Sequence, residues 1–234
     1  SMTAGGGALP GEQALTDRGR NAISRRMDTR PARLSARPWS LPNVLTYGRI
    51  LAVPALVAVM FIDRPDRPAT LGVPTGEYSN WLALSIFLAA CITDFFDGYL
   101  ARVWSQQSSL GQMLDPIADK LLVGAALVML VANGTVRGWA VCAAIIILSR
   151  EILVSGLREY LAELRVKVAV TRMAKWKTTV QMVAIGFLIA GEAGDRVLLG
   201  TATPTGLILL WIAAILTLYT GYDYFRAGLR HVID

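Results

Sequence analysis

Six long runs of mainly apolar residues set the strongest limit on how this chain can fold. A helix that crosses a bilayer needs roughly 20 mainly apolar residues, and each run is about that long. The runs cover residues 41–62, 80–104, 109–132, 138–162, 177–195 and 204–226. Hydrophobic residues make up 54% of the 234-residue chain, and little of it remains for a soluble domain. The sequence therefore predicts an all-α polytopic membrane protein with six transmembrane helices, formed by residues 39–234.

Residues 1–38 differ from the rest of the chain in composition. They are rich in Gly, Pro, Ser, Ala and Arg and show no apolar periodicity. Such a segment buries too little apolar surface to offset the entropy lost on ordering. We therefore expect a disordered, basic N-terminal tail.

The distribution of Lys and Arg predicts the orientation in the membrane. Basic residues are frequent in the N-terminal tail and between the fourth and fifth runs. The loops 63–79, 133–137 and 195–203 hold few basic residues and no lysine. Because cytoplasmic segments carry the excess of Lys and Arg, both termini are expected to face the cytoplasm.

With this topology, a set of polar residues with members in all six runs falls in the cytoplasmic halves of the predicted helices. They are Asn43, Thr46, Arg49, Asp94, Asp97, Arg102, Asp115, Asp119, Lys120, Arg150, Glu151, Arg158, Lys177, Thr178, Thr179 and Asp223. Charged groups at membrane depth usually face a water-accessible cavity and pair with one another. The pattern therefore predicts a polar cavity that opens to the cytoplasm. The simpler alternative, helix ends whose long side chains reach the interface, suits Lys and Arg but not the short aspartates.

Four of these polar residues are aspartates in two pairs. Residues three or four apart share one face of a helix. Asp94 and Asp97 therefore point one way, as do Asp115 and Asp119, and the short link between their helices allows the four carboxylates to converge. Unpaired, they would repel one another, whereas Mg²⁺ or Mn²⁺ prefers such oxygen ligands. Two ions shared by four carboxylates would suit phosphoryl transfer.

The same stretch carries a sequence signature. In one-letter code it reads D-x2-D-G-x2-A-R-x8-G-x3-D-x3-D from residue 94 to residue 119, and it resembles the signature of the CDP-alcohol phosphatidyltransferases at all eight fixed positions. The resemblance implies six spanning helices, a cytoplasm-facing cavity, a divalent-metal site and a homodimer. It also implies a multi-pass protein of a bacterial cytoplasmic (inner) membrane, whose partners include membrane lipid and no nucleic acid.

Site roles follow from this resemblance. It implies that Asp94, Asp97, Asp115 and Asp119 bind Mg²⁺ or Mn²⁺ as two ions, and that Asp119 is also the general base. The residues implied to contact the CDP group are Gly98, Ala101, Arg102 and Gly111.

Two further stretches, 41–54 and 150–163, the second followed by 168–185, resemble the phosphatidylglycerophosphate-forming branch of that family. This implies CDP-diacylglycerol and sn-glycerol 3-phosphate as substrates, with phosphatidylglycerophosphate and CMP as products. The basic residues near the predicted cytoplasmic mouth fit an acceptor that carries a phosphate, since such an anion needs several cationic donors. The candidates for binding that phosphate are Arg49, Arg150, Arg158, Lys175 and Lys177.

Several alternatives stay open at this point. Lys175 and Lys177 also fit a role in setting topology, and Glu151 and Glu159 are possible structural partners of the arginines. The acceptor can instead be inositol phosphate, serine or phosphatidylglycerol, as in sister enzymes. A divalent-cation transporter is an alternative of another class, although a transport path needs polar residues through both halves of the membrane. The only histidine, His231, lies at the C-terminus, which argues against histidine-based catalysis.

Overall fold

The computed structural model describes residues 41–62, 76–104, 109–163 and 172–233, and its regular elements are all helices. They are α1 (Leu41–Ile62), α2 (Glu77–Trp104), α3 (Ser109–Ala132), α4 (Ala140–Glu163), α5 (Arg172–Val197) and α6 (Ala202–Ile233). The all-α prediction is confirmed, and each helix matches one of the six apolar runs. Most helix ends lie within a few residues of the ends of the predicted runs. The predicted disordered tail, residues 1–38, lies outside the described residues.

Three of the described helices are long and apolar enough to cross a membrane. The qualifying segments are Val44–Ile62 of α1, Ala140–Leu161 of α4 and Ala202–Tyr222 of α6. Their presence identifies the chain as a membrane protein by length and composition. The other three helices carry the aspartates and Lys177 among their apolar residues.

The helix contacts form a ring. In the order in which neighbours touch, the ring is α1, α2, α5, α6, α4 and α3, and α3 closes it by packing on α1. The contacts between α5 and α6 are the most extensive, and those of α3 with α4 and with α5 are the slightest. Between the described residues of α2 and α3, direct packing is slight or absent, because each of them packs on α1 instead.

Large apolar side chains from five helices fill the centre of the ring. Phe87, Leu127, Ile147, Ile185 and Leu210 are each fully buried. Other large apolar side chains, including Leu51 and Ile152, are exposed on the outside. Within lipid, helices associate mainly through close van der Waals packing, and apolar outer faces are what a bilayer requires.

Two glycines shape the contact between α5 and α6. Gly191 has φ 45° and ψ −130°, a conformation that side chains with a Cβ rarely adopt, and it kinks α5. Gly206 lets α6 approach α5 closely, because a Cβ at this position would lie 2.8 Å from Cγ of Leu188 and 3.1 Å from Cβ of Phe187. After the kink, the Asp195 carboxylate accepts hydrogen bonds from the amide (2.9 Å) and hydroxyl (2.6 Å) of Thr203 at the start of α6.

Replacing Gly206 with alanine is predicted to destabilise the fold. The added methyl group overlaps Leu188 and Phe187, and overpacking of this kind costs about 1–3 kcal/mol. Thermal unfolding of the purified protein in detergent measures the loss. Gly124→Ala is the matched control, because its new Cβ would meet Leu148 at an ordinary 3.5 Å. An unchanged midpoint for Gly206→Ala would contradict the close α5–α6 contact.

Candidate active site

Three aspartate side chains meet at one nitrogen of a buried arginine, Nη1 of Arg49. The distances from this nitrogen to the Oδ1 atoms are 3.1 Å for Asp94, 3.2 Å for Asp115 and 2.7 Å for Asp119. The Asp115 oxygen also accepts a hydrogen bond of 3.1 Å from the Thr46 hydroxyl. Three of the four signature aspartates therefore converge, as predicted. The side chain of the fourth, Asp97, lies outside the described ones.

The packing of α1 explains why these side chains meet. Thr46 and Arg49 are three residues apart and share one face of α1. Because α1 packs on both α2 and α3, this face reaches Asp94 on one neighbour and the Asp115–Asp119 pair on the other. The three carboxylates therefore meet because α1 contacts both helices, not because α2 and α3 pack directly on each other.

Burial differs sharply within this aspartate cluster. The Arg49 side chain is 0% exposed, whereas the side chains of Asp94, Asp115 and Asp119 are 42%, 28% and 39% exposed. The arginine thus closes the inner side of the cluster, and the carboxylates open to the other side. Among the side chains that the structure describes, no three Asp, Glu, His or Cys residues already form a metal cage. The cluster is a group of hard oxygen donors that a buried cation holds together.

A second polar group joins α4, α5 and α6. Nζ of Lys177 contacts the Glu151 carboxylate, and Nη1 of Arg150 lies 3.7 Å from the same oxygen. The Arg150 guanidinium also donates to the Thr217 carbonyl at 3.0 Å and to the Thr220 hydroxyl at 2.9 Å. Both Lys177 and Arg150 are largely buried. Glu151 thus pairs with Arg150, as the sequence had suggested, and Arg150 also ties α4 to α6.

A third polar contact joins α3 to α4. Nζ of Lys120 contacts the hydroxyl of Ser155, and both side chains are partly buried. Ser155 shares one face of α4 with Glu151 and Arg158, at positions four residues before and three residues after it. Neither Lys120 nor Ser155 had a predicted role. The spacing of Ser155 from Glu151 and Arg158 was visible in the sequence. A serine among apolar residues nevertheless gives no reason to select it.

The structure brings some of the predicted site residues together and leaves others undescribed. Arg49, predicted to bind the acceptor phosphate, contacts the aspartates. Arg158 lies on the exposed part of α4, and the Lys177 ammonium is close enough to it for their charges to interact. Six predicted site residues lie within helices but have side chains outside the described ones, namely Asp97, Gly98, Ala101, Arg102, Gly111 and Lys175.

An apolar groove lies between α2 and α5. Its cavity has a volume of about 400 Å³, and its lining includes Leu84, Cys91 and Gly186. Cys91 stands one helical turn before Asp94, so one end of the groove reaches the aspartate cluster. This α2–α5 groove therefore runs from the charged site along the apolar faces of two helices.

The fold defines an all-helical membrane protein in which three carboxylates meet at one buried arginine. Family comparison is more specific, because residues 39–219 match the CDP-alcohol phosphatidyltransferase family. The chain belongs to this family and is a transferase.

The relatives carry a narrower name, CDP-diacylglycerol–glycerol-3-phosphate 3-phosphatidyltransferase. The protein of that name from Cereibacter sphaeroides is 43% identical over an alignment of 230 residues. The alignment, gaps included, covers 84% of this chain and 98% of the relative. Those from Rickettsia bellii and Escherichia coli are 44% and 37% identical over 188 and 198 residues. These two alignments cover 80% and 84% of this chain and 94% and 98% of the relatives.

Replacing Arg49 with methionine is predicted to destabilise the protein most when divalent ions are absent. The change removes the cation that three mutually repelling carboxylates share, at a cost of about 1–3 kcal/mol because these carboxylates are partly exposed. Thermal unfolding in chelator and in Mg²⁺ or Mn²⁺ measures this. We expect the ions to raise the unfolding midpoint more in Arg49→Met than in the unmodified protein.

The matched control is Arg196→Met, which removes an exposed ion pair of 2.9 Å with Glu77. Exposed pairs contribute about 0–1 kcal/mol, so its midpoint should barely move in either solution. If Arg49→Met behaves like this control, Arg49 does not hold the aspartate cluster together.

Proposed function

We propose that this protein transfers the phosphatidyl group of CDP-diacylglycerol to sn-glycerol 3-phosphate, releasing phosphatidylglycerophosphate and CMP. The observation that carries the proposal is the meeting of Asp94, Asp115 and Asp119 at one cationic nitrogen. These aspartates occupy fixed positions of the family signature, and family membership gives the class of reaction. The names of the relatives support glycerol 3-phosphate as the acceptor.

The aspartate cluster fits a divalent metal site. Its donors are carboxylate oxygens, which Mg²⁺ and Mn²⁺ prefer, and a single positive group already draws three of them together. The ligands would be Asp94, Asp97, Asp115 and Asp119, with two ions as the proposed number. Bound there, the ions would neutralise charge on the pyrophosphate of the CDP-lipid.

Asp119 is the proposed general base. Its carboxylate accepts the proton from the acceptor hydroxyl of glycerol 3-phosphate, and the hydroxyl oxygen attacks the β-phosphorus attached to diacylglycerol. A new phosphorus–oxygen bond forms, the bond between the two phosphates breaks, and CMP leaves with the electron pair. Asp119 makes the shortest of the three Arg49 contacts, 2.7 Å, and its side chain is 39% exposed, so an acceptor hydroxyl can approach it.

The remaining substrate contacts follow the sequence prediction. Gly98, Ala101, Arg102 and Gly111 are assigned to the CDP group. The acceptor phosphate is assigned to the cations of α4 and α5, Arg150, Arg158, Lys175 and Lys177. The arrangement around Glu151 supports this, because Lys177 and Arg150 both lie beside its carboxylate and so form one cluster of cations. Arg49, also predicted for the acceptor, is better placed to balance the aspartates.

The topology that suits this reaction has six membrane spans, with the active site and both termini on the cytoplasmic side of a bacterial cytoplasmic membrane. Three long apolar helices and bacterial relatives support a membrane location. A homodimer is the proposed assembly, as the family resemblance implies.

The α2–α5 groove is the proposed site for one acyl chain of CDP-diacylglycerol. The groove reaches the aspartate cluster through Cys91, so a lipid whose pyrophosphate lies at the aspartates can place a chain there. The reacting phosphates then stay among polar groups while the chain stays among apolar ones. This arrangement explains why the reaction centre is built at membrane depth.

Filling the groove is predicted to weaken binding of the lipid substrate alone. A Cβ at Gly186 would sit 3.8 Å from Cδ1 of Leu84, so Gly186→Leu fits locally and projects the rest of its side chain into the groove. The Michaelis constant for long-chain CDP-diacylglycerol should rise roughly fivefold to tenfold, which corresponds to about 1 kcal/mol. That for glycerol 3-phosphate should not change. Gly186→Ala is the matched control, and equal changes for both substrates would contradict the assignment.

An acceptor assay tests the proposed function. Purified protein is given CDP-diacylglycerol and Mg²⁺ with glycerol 3-phosphate, inositol phosphate, serine or phosphatidylglycerol, and products are identified by mass spectrometry. We expect phosphatidylglycerophosphate and CMP from glycerol 3-phosphate, and little product from the others. Turnover with another acceptor instead would replace the proposed substrate, and ion flux without turnover would indicate a transporter.

Asp119→Asn in the same assay tests the assignment of the base. The change removes the proton acceptor but keeps the side-chain size, so turnover should fall by about 10²–10⁴-fold. The thermal unfolding midpoint should stay close to that of the unmodified protein. Near-normal turnover would exclude Asp119 as the base.

A further inference from the structure

A second groove lies on the outer surface of the helix ring, between α4 and α6. Its cavity has a volume of about 480 Å³, and most of its lining side chains are apolar, including Ile145, Leu153 and Leu218. Each of these three residues is more than half exposed. Because the chain is a membrane protein, bilayer lipid is what surrounds such an apolar outer surface. The proposed reaction assigns no substrate to this α4–α6 groove.

The length of the α4–α6 groove matches one leaflet of a bilayer. Its lining on α4 runs from Ile145 to Val154, a rise of about 14 Å at roughly 1.5 Å per residue. The hydrocarbon core of a bilayer is about 30 Å thick, so one leaflet accounts for about 15 Å. A phospholipid acyl chain that lies along the groove therefore finds apolar contacts over most of the depth of its leaflet.

Polar and aromatic groups gather at one end of the groove. Tyr222 and Phe225 line this end, and both are exposed. Arg226 follows Tyr222 by four residues, which places both on one face of α6, and it too is exposed. Tyrosine rings and arginine side chains are typical of the boundary between acyl chains and lipid headgroups. The groove thus has an apolar body and a cationic end.

This cationic end lies at the same end of the bundle as the aspartate cluster. Lys120, the residue after the proposed base, contacts Ser155 of α4. The residue before Ser155 is Val154, whose Cγ2 would lie 3.8 Å from a Cβ at Gly221 of α6. Gly221 directly precedes Tyr222, so these contacts place the tyrosine at about the depth of the aspartates.

The floor of the groove is apolar even where it contains an arginine. Arg150 lines the groove, and its stem packs on Gly221, where a Cβ would lie only 3.3 Å from Cγ of Arg150. The Arg150 guanidinium donates hydrogen bonds to the Thr217 carbonyl at 3.0 Å and to the Thr220 hydroxyl at 2.9 Å. A lipid chain in the groove therefore meets the carbon stem of Arg150 and covers the polar contacts that join α4 to α6.

We propose that the α4–α6 groove binds an anionic phospholipid of the surrounding bilayer, with one acyl chain along the groove and the headgroup phosphate at Tyr222 and Arg226. The planar guanidinium can donate two parallel hydrogen bonds to phosphate oxygens, and the phenol hydroxyl donates another. Basic side chains near a membrane surface also attract anionic lipid through its charge. The inference goes beyond the proposed function and rests only on the membrane location of the chain.

The charge at the polar end of the groove selects the class of lipid. A zwitterionic lipid carries its own ammonium group close to the phosphate, and this group reduces the attraction to Arg226. An anionic lipid such as phosphatidylglycerol has no such group, so its negative charge acts on the arginine undiminished. The groove should therefore prefer phosphatidylglycerol to phosphatidylcholine when the acyl chains are identical.

Lipid binding to the purified full-length protein in detergent tests the site, without CDP-diacylglycerol or acceptor. Native mass spectrometry counts the bound lipids and gives dissociation constants for phosphatidylglycerol and for phosphatidylcholine with identical chains. We expect a saturable site that binds phosphatidylglycerol roughly fivefold more tightly than phosphatidylcholine. Because no substrate is present, the result decides the lipid site whether or not the protein makes phosphatidylglycerophosphate.

Substitutions at the two ends of the groove test the two parts of the proposal. Arg226→Gln should raise the dissociation constant for phosphatidylglycerol about fivefold and leave that for phosphatidylcholine unchanged, whereas Arg226→Lys should keep most of the preference. Leu153→Trp fills the apolar part and should raise both constants by at least about tenfold. Ile152→Trp is the matched control, because it enlarges the neighbouring exposed side chain, which does not line the groove.

Each of the following results would overturn the proposal. If Leu153→Trp and Ile152→Trp bind lipid equally well, the groove is not the lipid site. If Arg226→Gln keeps the full preference for phosphatidylglycerol, the headgroup does not lie at Arg226. If Gly186→Leu abolishes the binding, the lipid lies in the α2–α5 groove instead. If Leu153→Trp alone changes the number of protein copies in each particle, a second copy of this chain covers the groove.

Discussion

The contact of Arg49 with three aspartates is the interaction on which the rest of the site depends. Carboxylates gathered at membrane depth repel one another and lose hydration, so they stay together and ionised only beside positive charge. A buried guanidinium supplies that charge from α1, while the carboxylates stay partly exposed on their other side. One arginine thereby explains why α1 must pack on both α2 and α3, although neither the metal signature nor the proposed base lies on α1.

The groups proposed for the reaction lie at different contacts of the helix ring. The aspartate cluster lies where α1 joins α2 and α3, and the cations lie where α4 meets α5 and α6. Nζ of Lys120 contacts the Ser155 hydroxyl across the slight α3–α4 contact. The α2–α5 groove starts one helical turn from Asp94 and provides an apolar path away from the charges. The proposed base, the proposed acceptor-phosphate site and the proposed acyl-chain site thus lie at different helix interfaces.

Much of this arrangement was predictable from the sequence. The remaining features were not predictable, for physical reasons. The six apolar runs predicted the helices closely, because length and hydropathy decide a helix in a membrane. The spacing of the aspartates predicted their convergence, because residues three and four apart share a face. The spacing did not reveal that α1 lies between α2 and α3, since loop length alone does not choose helix neighbours. The sequence showed the charge of Arg49 but not its contacts with three aspartates on other helices. The contact of Ser155 with Lys120 was not predicted, because the two residues lie on different helices.

The most direct test of the central claim, that this aspartate cluster is the metal-bound centre of phosphatidyl transfer, is anomalous diffraction from crystals of the full chain with Mn²⁺ and CDP-diacylglycerol. We predict Mn²⁺ peaks within about 2.6 Å of carboxylate oxygens of Asp94, Asp115 and Asp119, with the pyrophosphate beside them. Peaks located away from these aspartates, in protein that produces phosphatidylglycerophosphate in solution, would contradict the claim.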